Sequence, residues 1–370
     1  MRLLNCSTRR FEEFCNEEIS YSEYYDSPTR NYYSKATNKI INTMAKALEH
    51  GVNYVWIDSC CIDKSSSAEL SEAINSMYLW YTGAEVCFVY LSDFDGSRED
   101  SPPRPQGFWS ESLLEALRCC RWFTRGWTLQ ELLAPSNVRF FDRRWNCFGT
   151  KRSICVVLSH ITEIPEDALV GKAAEHRCSV AARMSWAAHR VTTRGEDIAY
   201  CLFGLFGVNL PLLYGEGATQ AFLRLQEAII QKSNDLTIFA WQRDQATSPE
   251  RSGEPCSILA QSPSDFEGSG DIICSLFRNN PEFSVTNKGI RFNDWNFERY
   301  GSDPNIFEIP LSCRREWTRE TGSLHITLYR LKGNVWYRRK NETFRLHKDF
   351  VKIGNAPGSN AALPYFHIMT

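Results

Sequence analysis

Carboxylates placed just after short apolar runs are the first residues in this chain whose type and spacing could do chemistry. Asp58 closes the run Val52–Ile57 and Asp63 follows in the next polar stretch; Asp93 and Asp95 follow Glu85–Leu91; Asp142 closes Asn137–Phe141. If these runs are strands of one open sheet, the acids form a rim around a cleft at the strands' carboxyl ends, where such sheets bind ligands. Turns and caps select aspartate for the same positions, so that reading stands beside the first. Glu131 ends the stretch Thr124-Arg125-Gly126-Trp127-Thr128-Leu129-Gln130-Glu131. Thr128 three residues earlier makes a capping-box spacing, in which Glu131 only ties down a helix start. Alternatively, Glu131 is a carboxylate held beside Trp122, Phe123 and Trp127 in a cleft, able to stabilise positive charge or accept a proton. The aromatics themselves could stack a nucleotide base or fill a core.

Other chemistries are excluded by pattern. The chain has no GxxxxGK[ST], no GxGxxG after a strand, no GxSxG elbow and no HExxH. Val170-Gly171-Lys172 lacks the glycine-rich loop that wraps a phosphate. There are 14 cysteines but no CxxC, and the adjacent pairs Cys60-Cys61 and Cys119-Cys120 suit neither zinc nor a disulfide scaffold. Neither a metal nor a cofactor is expected. The start, MRLLNCSTRRFEEF, has no apolar signal core, so reduced thiols in a cytoplasmic protein are expected. A net charge of -2 argues against a dedicated nucleic-acid binder, whose domain would be strongly basic. The longest apolar stretch, Ile198–Gly215, is broken by Asn209, Pro211 and three glycines, so it predicts a buried helix and a loop rather than a membrane span.

The elements that would position these residues follow from periodicity. Ile40, Ile41, Met44 and Leu48 form one helical stripe, stopped by Gly51. Residues 52–58 and 85–91 predict buried strands. Between them Leu70, Ile74, Met77, Tyr78 and Tyr81 follow an amphipathic pattern, opened by Ser66 and Glu69 at capping-box spacing. Residues 52–91 therefore predict one βαβ unit with parallel strands, and 137–142 a third strand of that sheet. Residues 151–235 predict helices, with Ala218, Phe222, Leu225 and Ile229 on one face. Residues 243–270 predict a linker or long loop. Ile306–Leu311, Leu324–Leu331 and Asn334–Arg339 predict strands of a small β-rich module. The expected division is 1–150, 151–242, 243–270 and 271–370. A length of 370 residues with 43% apolar and 23% charged residues fits two or three folded domains.

Several long stretches resemble the fungal heterokaryon incompatibility (HET) domain family. They are Tyr54–Lys64 (YVWIDSCCIDK), Arg121–Pro135 (RWFTRGWTLQELLAP) with VRFFDRRW after it, and Met184–Trp241 with SWAAHRVTTRGEDIAYCLFGLFGVNLPLLYGEG. The last resembles the extension after the HET domain of larger vegetative incompatibility proteins. The start MRLLNCSTRRFEEF and the stretch VTNKGIRF match the family as well. The resemblance implies a cytoplasmic fungal protein of non-self recognition and programmed cell death. It implies a TIR-like, flavodoxin-like parallel sheet, with a helical extension and a small β-rich C-terminal module. Some TIR domains cleave NAD with a glutamate. By the same resemblance Glu131 is the catalytic carboxylate, and Asp58, Asp63, Arg125 and Trp127 are signature positions for a nucleotide substrate. Members usually carry a strand and loop resembling YAILSHTWG near the start; here residues 17–39 replace it, so the first strand is expected to be missing, as in a truncated gene model. Three readings follow: an NAD-directed enzyme, a non-enzymatic adaptor working by self-association or through a protein partner, and a decayed paralogue.

Overall fold

The computed structural model describes residues 1–13, 35–96, 111–171, 178–242, 255–274, most of 282–316, 323–332, 335–339, 345–347 and 367–368. Most of the replaced segment 17–39 and the linker residues 243–254 lie outside these.

The N-terminal part is a mixed α/β arrangement. Strand β1 (Arg2–Asn5) pairs antiparallel with β2 (Phe11–Glu13) on one side and with β3 (Tyr54–Val55) on the other. Helix α1 (Lys35–Glu49) ends where Gly51 takes φ +73°, the left-handed turn a side chain would resist. It buries Met44 and Ala47, whereas Leu48, expected on the same stripe, is exposed. A short turn α2 (Asp58–Cys61) leads to α3 (Ser67–Gly83). The Ser66 side chain caps α3 by accepting from the Glu69 N–H, but the Glu69 carboxylate accepts from the Asp63 N–H (2.8 Å) and Arg2 instead of closing the box. Ala73, Ile74, Met77 and Tyr78 form the buried face of α3.

Strand β4 (Cys87–Tyr90) pairs parallel with β5 (Val138–Phe141), as expected, and β5 pairs antiparallel with β6 (Cys147–Thr150). The predicted parallel partnership of 52–58 with 85–91 is not formed. Tyr54–Val55 is taken up by the N-terminal strand, so β3 and β4 belong to two separate three-stranded sheets. Helices α4 (Glu111–Arg118), α5 (Arg121–Thr124) and α6 (Thr128–Leu133) connect β4 to β5.

The described residues between 155 and 232 hold the helices α7 (Cys155–Thr162), α8 (Glu166–Val170), α9 (Val180–Ser185), α10 (Asp197–Tyr200), α11 (Phe203–Phe206) and α12 (Ala218–Lys232). Phe222, Leu225 and Ile229 of α12 are buried, while Ala218 is exposed. Beyond them lies a mixed, mostly antiparallel sheet whose long strands include Ile306–Pro310, Ser323–Lys332 and Val335–Arg339; the last pairs parallel with His367–Ile368. One continuous core runs from Ile74 through the helices to Trp336, and Ile258, Leu259 and Ala260 are buried within it. Among the described residues no helix is long and apolar enough to cross a membrane.

Candidate active site

Glu131 sits on α6, a helix fixed at both ends by buried groups. At its start, the Thr128 hydroxyl donates to the carbonyls of Trp122 (2.6 Å) and Arg125 (2.8 Å), so it does not cap the helix. Glu131 does not reach back to the backbone either; its carboxylate accepts the Trp122 indole N–H at 3.1 Å. The capping-box spacing of Thr128 and Glu131 is thus not used as a capping box. At the other end, buried Lys151 donates to the carbonyls of Leu132 (3.0 Å), Leu133 (3.2 Å) and Pro135 (2.5 Å). A cation there satisfies terminal carbonyls and opposes the negative end of the helix.

The turn before α6 is held from far along the chain. Val191 N–H donates to Thr124 O (2.7 Å) and Gly126 N–H to Val191 O (2.9 Å). A Cβ at Gly126 would lie 2.6 Å from Thr192 Cγ2 and 3.1 Å from Cys201 Sγ, so this close approach needs glycine. Buried Arg190 donates to Trp186 O, Arg125 O and the Thr128 hydroxyl, at 2.9–3.1 Å. Burial brings its pKa down to about 10.

These contacts place Asp58, Arg125, Trp127 and Glu131 in one cleft of about 440 Å³. Asp63 is not part of its lining; it is exposed, and its carboxylate accepts from the Ser65 N–H (2.9 Å) and hydroxyl (2.6 Å), which holds it below the usual carboxylate range. Asp93, Asp95 and Asp142 are spent on local structure. Asp93 accepts from the Arg121 N–H, Asp95 pairs with Arg143, and Asp142 accepts from the Arg144 and Asn146 N–H groups.

The cleft also contains groups that local pattern did not reveal: Lys64, Arg121, Arg194, Asp197 and Tyr214. Asp197 accepts from Trp127 Nε1 (3.3 Å) and from the Tyr214 hydroxyl (2.9 Å), and Arg194 lies 4.2 Å over the Tyr214 ring. The loop carrying Tyr214 is anchored by Glu196, which accepts from the Gly215 and Gly217 N–H groups, and by Asn75, which pairs with both backbone groups of Leu210. Only the 184–241 block of the family resemblance pointed to this loop, because nothing local joins it to Glu131.

Electrostatically the cleft is layered. Lys64, Arg121, Arg125 and Arg194 are exposed against one exposed carboxylate, Asp58, so the opening is cationic on balance. Glu131 and Asp197 are partly buried, and burial raises both above the ordinary carboxylate range. The Trp122 N–H opposes the shift at Glu131, and the Tyr214 and Trp127 donors oppose it at Asp197. A cationic mouth over aromatic walls suits an anionic, ring-bearing ligand, and a partly buried carboxylate suits positive charge developing within it. Among the described residues, no group of three His, Cys, Asp or Glu could hold a metal ion.

Comparison with known families agrees with the N-terminal signature. Residues 13–131 match the model of the family described as heterokaryon incompatibility protein (HET), and residues 220–312 match a domain of unknown function, DUF8212. Over residues 13–131 the chain is thus similar to the HET-domain heterokaryon incompatibility family. Its similarity extends to a particular protein, the vegetative incompatibility protein HET-E-1 of Podospora anserina, at 45% identity over 213 residues. That alignment takes in 58% of this chain but 15% of the relative, so the chain spans a small part of that protein's length. No solved structure matches the chain significantly.

Proposed function

We propose that this chain acts in heterokaryon incompatibility in the cytoplasm, as an effector of non-self recognition and programmed cell death, and that the cleft over Glu131 cleaves NAD. The observation that carries the enzymatic reading is Glu131 itself. It is a carboxylate of raised proton affinity, oriented by one indole N–H, beneath a mouth of four cationic side chains. Arg121, Arg125, Arg194 and Lys64 would take the two phosphates, with Arg suited to bidentate contacts. Trp127 and Tyr214 would flank a ring. The bond between ribose C1′ and the nicotinamide nitrogen breaks, and its electron pair leaves with nicotinamide. The ionised Glu131 stabilises the cationic ribose, water oxygen bonds to C1′, and the water's proton passes to solvent.

The same proposal includes a TIR-like ancestry for the sheet, supported by the parallel β4–β5 pair with helices between them. It also includes the division at 150, 242 and 270. The test is NAD consumption by purified protein and in cells after induced expression, with Glu131→Gln at matched protein level. Loss of consumption with the variant is expected; consumption equal to wild type would remove Glu131 from the mechanism.

A second reading, signalling by association without catalysis, is favoured by one observation. Strands β3 and β4 present facing edges that pair with no strand among the described residues. In that case toxicity would survive Glu131→Gln.

A further inference from the structure

Between the two N-terminal sheets lies a cavity of about 340 Å³, bounded by β3 on one side and β4 on the other. Hydrogen-bond parity shows which backbone groups face it. On β3, Asn53 O accepts from Cys6 N–H and Val55 is in register with Leu4, so the odd residues turn toward β1 and Trp56 turns its N–H and C=O away from it. On β4, Cys87 and Leu91 donate to Asn137 O and Phe141 O, so the odd residues bond to β5 and Val86 and Phe88 turn the other way. Both walls of the cavity are therefore strand edges with main-chain groups directed across it.

Side-chain alternation shows what lies above and below. On β3, Val55 and Ile57 pack with Met44 and Ala47 of α1, whereas Trp56 packs on Trp80 and Tyr81 of α3. On β4, Phe88 joins the α1 side, its ring 5.4 Å from that of His50 at the end of α1, while Cys87 and Val89 join Ile74 and Tyr78 of α3. The cavity thus has a strand edge on each side, α1 over one face and α3 with α6 over the other. These are the four walls of an interior strand position in a helix-covered sheet. Its charged lining is unbalanced, with Asp58, Glu85 and Glu131 against Lys39.

We propose that this gap is a docking site for one extended strand donated by a partner polypeptide. The strand is apolar toward α1 and carries a basic residue toward Glu131. Binding adds a strand between β3 and β4 and joins the two sheets into one. Glu131, Asp58 and Tyr81 line both this gap and the cationic cleft, so the docked strand's basic residue would sit at the back of the candidate active site. The docking itself does not depend on the cleft being catalytic.

The test is residue-resolved amide hydrogen exchange on the full chain. The probe is the peptide acetyl-Thr-Val-Ala-Val-Lys-Val-amide, whose alternate residues supply the valine face and the lysine. The Phe88, Val86 and Trp56 amides are expected to exchange freely in the chain alone and to slow about tenfold or more at saturating peptide. The same peptide N-methylated at alternate residues, which cannot ladder, is expected to give no protection. Replacing its lysine by alanine should weaken binding to wild type but not to Glu131→Gln. Equal protection by the methylated peptide would overturn the strand assignment. So would amides already protected in the free chain, or no protection at saturation. Protection that grows with protein concentration without peptide would overturn the partner in favour of a second copy. None of these readouts is an activity, so failure of the NAD proposal would leave the outcome legible.

Discussion

Glu131 and Trp122 form a pair whose consequences are readable in pH. Burial raises the Glu131 pKa and the indole N–H, bonding to the ionised form, pulls it back. Trp122→Phe removes that donor and should raise the pKa further. The acid limb of the NAD-cleavage profile is therefore expected to move to higher pH, with the plateau reduced less than by Glu131→Gln. A raised folded-state pKa also means that the native state holds this proton more tightly than the unfolded chain. The associated stability is present at low pH and is lost as pH rises from the ordinary carboxylate range through the raised value. Glu131→Gln, which cannot ionise, should melt at or above wild type at neutral pH, by about 1 kcal/mol or less, with the gap closing on acidification. Thermal melts over a pH series would check the sign. At the mouth, Arg194→Gln should weaken NAD binding and flatten its salt dependence, since that guanidinium is solvent-exposed.

Helix α6 has six residues and contributes Glu131, so its position depends on the groups that clamp it. Lys151 is the clamp at its end, donating to three carbonyls while almost fully buried. Lys151→Met should leave those acceptors unpaired and cost about 2–4 kcal/mol, read as a fall in denaturation midpoint at unchanged slope. The clamp at its start is the contact of residues 124–126 with Val191, which admits only glycine at 126. A similar restriction holds where α11 crosses α3, since a Cβ at Gly204 would stand 2.1 Å from Tyr78 Cβ. Gly204→Ala is expected to destabilise by about 1–3 kcal/mol, the cost of forcing an overpacked contact apart. The helices were legible as periodic stripes in α1, α3 and α12, because their core-facing residues recur every three or four positions. Glu131's indole bond was not legible, because Thr128 and Glu131 have the same spacing whether or not they cap.

All four regions expected from the sequence contribute to one hydrophobic core, so the molecule should respond as a unit from Ile74 onward. Arg338, in the strand Val335–Arg339, is buried and donates to Phe239 O (3.0 Å) and Trp241 O (2.6 Å), and it lies 4.2 Å over the Trp241 ring. Phe239 also packs on Phe283 and Phe292. A chain ended after residue 242 would expose this surface, and it is expected to lose cooperative unfolding and to aggregate, measured by calorimetry and light scattering. A truncation that melts as sharply as the full chain would show that the shared core is dispensable. By contrast Leu4, Cys6, Met44, Ala47, Val55 and Ile57 form a small separate cluster, which should open first in hydrogen exchange.

By itself the sequence determined the likeness to the HET domain, through motifs too long to arise by spacing alone, and the principal helices and strands, through their hydrophobic periods. It also determined that Asp58, Arg125, Trp127 and Glu131 were worth following. Tertiary structure decided which acids face a cleft and which only close turns, because a carboxylate's partner is set by distance in space. It brought Arg194, Asp197 and Tyr214 from about 70 to 90 residues away to Trp127 and Arg125, through backbone bonds at Val191 and Gly126 that no local pattern encodes. It also separated β3 from β4. Strand propensity is a property of each run, but pairing depends on which edge is available, and Arg2–Asn5 took the edge that the βαβ reading had assigned elsewhere.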